Sequence, residues 1–153
     1  MIETLEQALG LHGALFLVGL ISGVFPLMNA ELVVIATATV VADVPTMLGL
    51  GALAALGQSL TFCALFQLGH GAAHLRWLAR PVAKAKARVA GWRRRRLAVL
   101  GASALFGLPP HLLVSLVAGA LEIRFPTFVA VTVAARTTRF LVVAAGAAYA
   151  AGG

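Results

Sequence analysis

Residues 97–121 read LAVLGASALFGLPPHLLVSLVAGAL. The stretch is apolar and long enough to cross a hydrocarbon core, which needs roughly 20 helical residues. At its centre Pro109-Pro110 removes two backbone donors, and proline inside a helix clashes with the carbonyl one turn earlier. Neither arm alone reaches across. The pattern predicts a re-entrant loop that enters the bilayer, turns at Leu108 to His111 and leaves on the same side near Glu122 to Arg124. A single proline-kinked spanning helix is the competing reading.

Working outward, the same device appears near the N-terminus. Residues 8–42 are too long for one ordinary span, and Pro26 interrupts them, with Asn29 and Glu31 just beyond; this reads as a broken helix or hairpin. Residues 47–68 and 125–150 are each long enough to span. Hydrophobic residues make up 61% of the chain and charged residues 11%, outside the range of soluble domains. The N-terminus carries Glu3 and Glu6 where a secretory leader has a basic region, so the first stretch is expected to remain part of the chain. Cys63 is the sole cysteine, which excludes disulfides within the chain and cysteine-based zinc or redox motifs.

Of the twelve Lys and Arg residues, nine lie between Arg76 and Arg96: Arg76, Arg80, Lys84, Lys86, Arg88 and Arg93 to Arg96. No acidic residue occurs from Val44 to Leu121. Basic loops of this length stay cytoplasmic, so this loop predicts the orientation of the chain. It also predicts attraction to anionic headgroups, at about 1 kcal/mol per basic residue near the surface. Nucleic acid is not expected as a partner. With the loop inside, residues 47–68 run inward, and Asp43 and Pro45 lie at the outer interface.

The expected architecture is therefore an all-α polytopic membrane protein, a single domain over residues 1–153. Residues 8–72 form a first hairpin plus helix, 73–96 the basic loop, and 97–150 a second hairpin plus helix. If both breaks are re-entrant, the first dips from outside and the second from inside. That makes two inverted repeats, an arrangement of many secondary transporters. A faint echo links Phe25-Pro26-Leu27 with Leu108-Pro109-Pro110.

Ionisable residues inside a membrane are tolerated mainly for function or pairing. Arg136 and Arg139 lie near the middle of residues 125–150, three apart and so on one helix face. Their planar forks suit a phosphate or carboxylate. Glu31 is the expected internal partner, with Asp43 nearer the surface. A structural ion pair that fixes packing is the plain reading. In the functional one, an anionic headgroup competes for the arginines while a proton neutralises the carboxylate.

His111, beside Pro109-Pro110, is a candidate proton relay, although a histidine at a helix break is commonly just a hydrogen-bonding residue. His70 and His74 share a helix face but lack a third ligand, so no metal site is expected. Gln58, Ser59 and Thr61 read as interhelical hydrogen-bonding residues. The glycines at 49, 51, 57 and 69 read as sites of close backbone approach. No nucleophile elbow, phosphate loop, paired catalytic acids or metal motif appears, so neither enzymatic activity nor a cofactor is expected.

The run Phe25-Pro26-Leu27-Met28-Asn29-Ala30-Glu31-Leu32-Val33-Val34 resembles the DedA family (the VTT, or SNARE-associated Golgi protein, domain), particularly its shorter YqaA-like members. Gly57-Gln58, Gly69, Phe106-Gly107-Leu108-Pro109-Pro110, Gly119 and Arg136-x-x-Arg139-Phe140 extend the resemblance over nearly the whole chain. It implies opposed re-entrant hairpins in a bacterial inner (plasma) membrane. It also implies movement of a phosphate-bearing lipid, polyprenyl phosphate or phospholipid, often linked to the proton gradient. Glu31 and Asp43 match the family's two acidic positions. Longer members flank the second proline break with two arginines, where this chain has Leu105 or Phe106 and Leu112 or Leu113. Arg136 and Arg139 are the expected substitutes. The alternatives are a non-transporting scaffold or assembly factor using the basic loop, and a transporter of small anions. A chain this short is also expected to use a second copy of itself to enclose a pathway.

Overall fold

The computed structural model describes residues 2–25, 29–41, 43–73, 80, 83, 87, 93–108, 110–152. Among these, all regular structure is helical: α1 Ile2–Ser22, α2 Ala30–Thr37, α3 Val44–Ala73, α4 Arg93–Phe106, α5 His111–Ala120 and α6 Phe125–Gly152. α3 and α6 are long and apolar enough to cross a membrane; the apolar parts of α1, α4 and α5 are shorter. The two broken stretches fold back on themselves, since α1 packs on α2 and α4 on α5. Residues 97–121 thus hold two helices that pack on each other. Pro26 and Pro109 lie outside the described residues, as does most of the basic segment. The arginine run at its end forms the first turn of α4.

The local chemistry explains the helix ends. Asn29 caps α2 by accepting a hydrogen bond from the Glu31 N–H at 3.0 Å. α4 ends at Gly107, whose φ of 78° is a left-handed conformation that glycine adopts without strain. Pro110 occupies the cap position of α5 with extended backbone. α5 ends where the Glu122 N–H donates to the Gly119 carbonyl and the Ile123 N–H to that of Ala118. That turn places Glu122 at φ 54°, where glycine is the usual residue. α3 and α6 both start with a proline at their second residue, Pro45 and Pro126, where the missing N–H has no helical partner to lose.

The chain forms two compact units, Met1–Thr61 with Arg136–Gly153, and Phe62–Ala135. The first contains α1, α2, the start of α3 and the end of α6. Its core is Leu15, Val34, Met47, Leu50 and Phe140, all essentially solvent-free. The second contains α4, α5, the start of α6 and the end of α3, around Phe62, Phe66, Leu100, Ala118 and Phe128.

One packing device occurs in both units. A Cβ at Gly19 would overlap the Ala54 carbonyl, and one at Gly57 the Phe16 carbonyl. In the second unit, a Cβ at Gly69 would overlap the Leu116 carbonyl, and one at Gly119 the Phe66 carbonyl. In each pair, stepping back three residues on one helix means stepping forward three on the other, so the crossings are antiparallel. Side-chain-free contact lets the backbones touch. Gly119→Ala should cost about 1–3 kcal/mol by overpacking, whereas Gly146→Ala, which meets open space, should gain up to about 1 kcal/mol of helix propensity. Thermal unfolding of both variants in detergent checks the contrast.

Candidate functional site

The described ion pair lies in the first unit. α6 places Arg136 and Arg139 one turn apart, and Arg139 forks onto Glu31 of α2. Its Nη2 donates to Glu31 Oε2 at 2.8 Å, and its Nε pairs with Oε1. Two parallel charge-assisted bonds fix both side chains in one plane. Glu31 gains further from its place in the first turn of α2, where backbone N–H groups point toward negative charge. The two side chains are 25% and 19% exposed. Arg136 is more deeply placed, at 5% exposure, within electrostatic reach of Arg139 and Glu31.

The first unit also holds a buried polar chain between α1 and α3. Gln58 Nε2 donates to Ser22 Oγ at 3.0 Å, and Ser22 Oγ donates to the Gly19 carbonyl at 2.8 Å. This order fixes the amide, leaving Gln58 Oε1 buried with no hydrogen bond. Thr61 Oγ1 donates to the Leu20 carbonyl at 2.6 Å. Gln58 and Thr61 thus join α3 to α1, as expected of interhelical residues. Ser59 bonds within its own helix, to the Ala55 carbonyl.

Asp43 is not part of this cluster. It is exposed and caps α3, its Oδ2 accepting from the Thr46 hydroxyl at 2.5 Å and the Thr46 N–H at 2.9 Å. These two bonds, the hydroxyl foremost, hold its carboxyl below the usual carboxylate range.

His111 belongs to the second unit and opens α5. It is 3% exposed, with Nδ1 at 3.0 Å from Ser103 Oγ of α4 and Nε2 at 3.3 Å from Thr132 Oγ1 of α6. Phe62 meets the ring edge-to-face at a centroid distance of 4.6 Å, and Phe128 lies parallel at 6.2 Å. Sequence reasoning singled out His111 but missed this cage. A signal was present: Phe128, Thr132, Arg136 and Phe140 recur every fourth residue, and all four are buried. A stripe traced back from Arg136 reaches both α6 partners of the histidine.

His70 is exposed at the end of α3, and His74 lies outside the described residues. Among the described residues no group of three or more His, Cys, Asp or Glu is placed to hold a metal. Arg80 and Arg95 of the basic segment are exposed. No family model, curated protein or solved structure matches the chain.

The pairing makes a stability prediction. Glu31→Gln or Arg139→Gln alone leaves a charge without its fork and should cost about 1–3 kcal/mol, while the double variant recovers most of that loss. Unfolding midpoints of the four proteins in one detergent measure the coupling; additive losses would show that the fork contributes nothing.

Proposed function

We propose that the protein is a polytopic membrane protein that moves a phosphate-bearing lipid across the bilayer, with Arg136 and Arg139 as the headgroup site. The observation that carries this reading is the Arg139–Glu31 fork beside a buried Arg136, on a helix apolar enough to span. A guanidinium fork binds phosphate in the same geometry as carboxylate, so an arriving anionic headgroup can take the place that Glu31 holds on Arg139. A phosphate group bearing one negative charge would displace Glu31 from Arg139, and a proton on the released carboxylate would keep the exchange electrically balanced. Acyl or prenyl tails would stay in the lipid.

Internal correspondence supports the inverted-repeat reading. The cap residues Asn29 and Pro110 precede Pro45 and Pro126 by the same chain separation. Val44-Pro45-Thr46 answers Phe125-Pro126-Thr127. Buried Ala30, Val34 and Met47 answer buried His111, Ser115 and Phe128 at the same spacing. Each unit also combines one hairpin, the start of the long helix after it and the end of the other long helix. The residues before these helix starts differ in sign: Asp43 precedes α3 and Arg124 precedes α6. A basic residue at only one of two equivalent ends is what the positive-inside rule favours when the two long helices cross in opposite directions. In this arrangement the basic segment and Arg124 face the cytoplasm and Asp43 faces outward. The resemblance to the DedA family points to the same arrangement and to the same lipid class.

Reconstitution into liposomes with a fluorescent phospholipid tests the proposal. Arg136→Ala and Glu31→Ala are each expected to abolish lipid movement while leaving insertion intact, and neutralising Arg93 to Arg96 is expected to leave it largely unchanged. Normal movement in both single variants would refute the headgroup site. Dependence on Arg93 to Arg96 alone would favour a scaffold that recruits anionic lipid.

A further inference from the structure

We propose that Gln58 extends the headgroup site and reads the alcohol esterified to the lipid's phosphate: its amide oxygen accepts a hydrogen bond from an O–H or N–H of that alcohol. The inference rests on the lipid reading above and deepens it, because it selects phospholipids with donor-bearing headgroups.

The direction of the amide is set by its neighbour. A serine hydroxyl has one proton to give. That of Ser22 goes to the Gly19 carbonyl, so Ser22 can only accept from Gln58 Nε2. The amide oxygen is left for another donor. The end of α1 presents carbonyls, which accept: that of Leu20 takes the Thr61 hydroxyl, and that of Ile21 takes the N–H groups of Val24 and Phe25. Gln58 is only 8% exposed. Among the described residues, its Oε1 is the one buried side-chain oxygen with no hydrogen bond. Buried acceptors are normally matched by donors, and the donor for this one is brought in from outside the chain.

Helix register places that residue level with the arginines. In the first unit, a Cβ on Gly51 of α3 would meet the Ala144 side chain and the Phe140 carbonyl of α6. Gln58 lies two turns beyond Gly51 and so on the same face of α3. Arg136 lies one turn before Phe140 and two before Ala144, on the buried stripe of α6. The two helices run in opposite directions. In the second unit Phe66 of α3 meets Phe125 and Phe128 of α6, while Phe62, one turn back, meets His111, whose Nε2 faces Thr132, one turn beyond Phe128. Each helix is unbroken. Two turns along α3 from Gly51 therefore lead to the level of Arg136, with Arg139 a turn further along α6.

Donors and acceptor divide between the two helices. Guanidinium groups only donate, so α6 takes the phosphate oxygens; the amide oxygen only accepts, so α3 takes the alcohol. A glycerol headgroup, with a hydroxyl a few bonds from the phosphate, uses both at once. Choline uses only the first, because its nitrogen carries three methyl groups and no hydrogen. A neutral amide also leaves the charge balance of the exchange with Glu31 unchanged.

The test compares two lipids with the same phosphate. The full chain is released from dioleoylphosphatidylcholine vesicles carrying equal small amounts of dioleoylphosphatidylglycerol, dioleoylphosphatidylpropanol and dioleoylglycerol, and bound lipids are counted by native mass spectrometry. The propanol lipid keeps the charge and the three carbons of the headgroup and lacks both hydroxyls. The native chain is expected to retain the glycerol lipid over the propanol lipid by about fivefold, the worth of one hydrogen bond. Gln58→Met is expected to lose that preference while still retaining both over dioleoylglycerol. Ser22→Ala breaks the same bond between α1 and α3 but keeps the amide oxygen, and is expected to keep the preference. Equal retention of the two phosphate lipids by the native chain would overturn the inference and leave the arginine site standing. So would a preference that survives in Gln58→Met, or one lost equally in both variants, which would make Gln58 a packing residue only. Retention of neither lipid over dioleoylglycerol would overturn the arginine site and this inference with it.

Discussion

The Arg139–Glu31 fork is the interaction on which the first unit turns. α2 is only eight residues long, too short for helix propensity to hold it in place. It is fixed by three things: the Asn29 cap, burial of Ala30 and Val34, and a charge pair to a helix more than a hundred residues later in the chain. The first two are available to any short helix. The third closes the unit by joining its first hairpin to the end of α6.

Around that pair, the packing is arranged by absence. Gly19, Gly57, Gly69 and Gly119 sit where any side chain would meet a backbone carbonyl. Close backbone contact and hydrogen bonds such as Gln58 to Ser22 and Thr61 to the Leu20 carbonyl hold the helices together. The rigid crossings leave the specialised residues at the hairpin tips, Glu31 in the first unit and His111 in the second. The proposed lipid exchange acts there, on the short helix of the first unit.

Much of the helix plan was legible because proline chemistry is local. Interruptions near Pro26 and Pro109-Pro110 followed from missing donors, and the long helices from apolar length. The helix boundaries were less so. Residues 69–73 continue α3 although two of them are glycine, and the arginines from Arg93, which are good helix formers, begin α4 ahead of the apolar run. The Glu31 to Arg139 pairing was expected from scarcity, since an apolar chain holds few acids to choose from. Asp43 illustrates the opposite difficulty: the Asp-x-x-Thr spacing before a helix is a capping signal, and this local role accounts for its hydrogen bonds. The His111 cage was illegible from composition because its polar members, Ser103 and Thr132, come from separate helices and each looks like ordinary packing in its own segment.

The central claim is that a phosphate group and Glu31 compete for the same guanidinium pair. Native mass spectrometry tests it most directly, on protein released from vesicles holding equal amounts of dioleoylphosphatidylglycerol and its phosphate-free counterpart dioleoylglycerol. The account predicts selective retention of the phosphate lipid by the native chain, loss of that selectivity in Arg136→Gln, and tighter retention in Glu31→Gln, where the internal competitor has lost its charge. Equal retention of both lipids by the native chain, or retention indifferent to both substitutions, would contradict it.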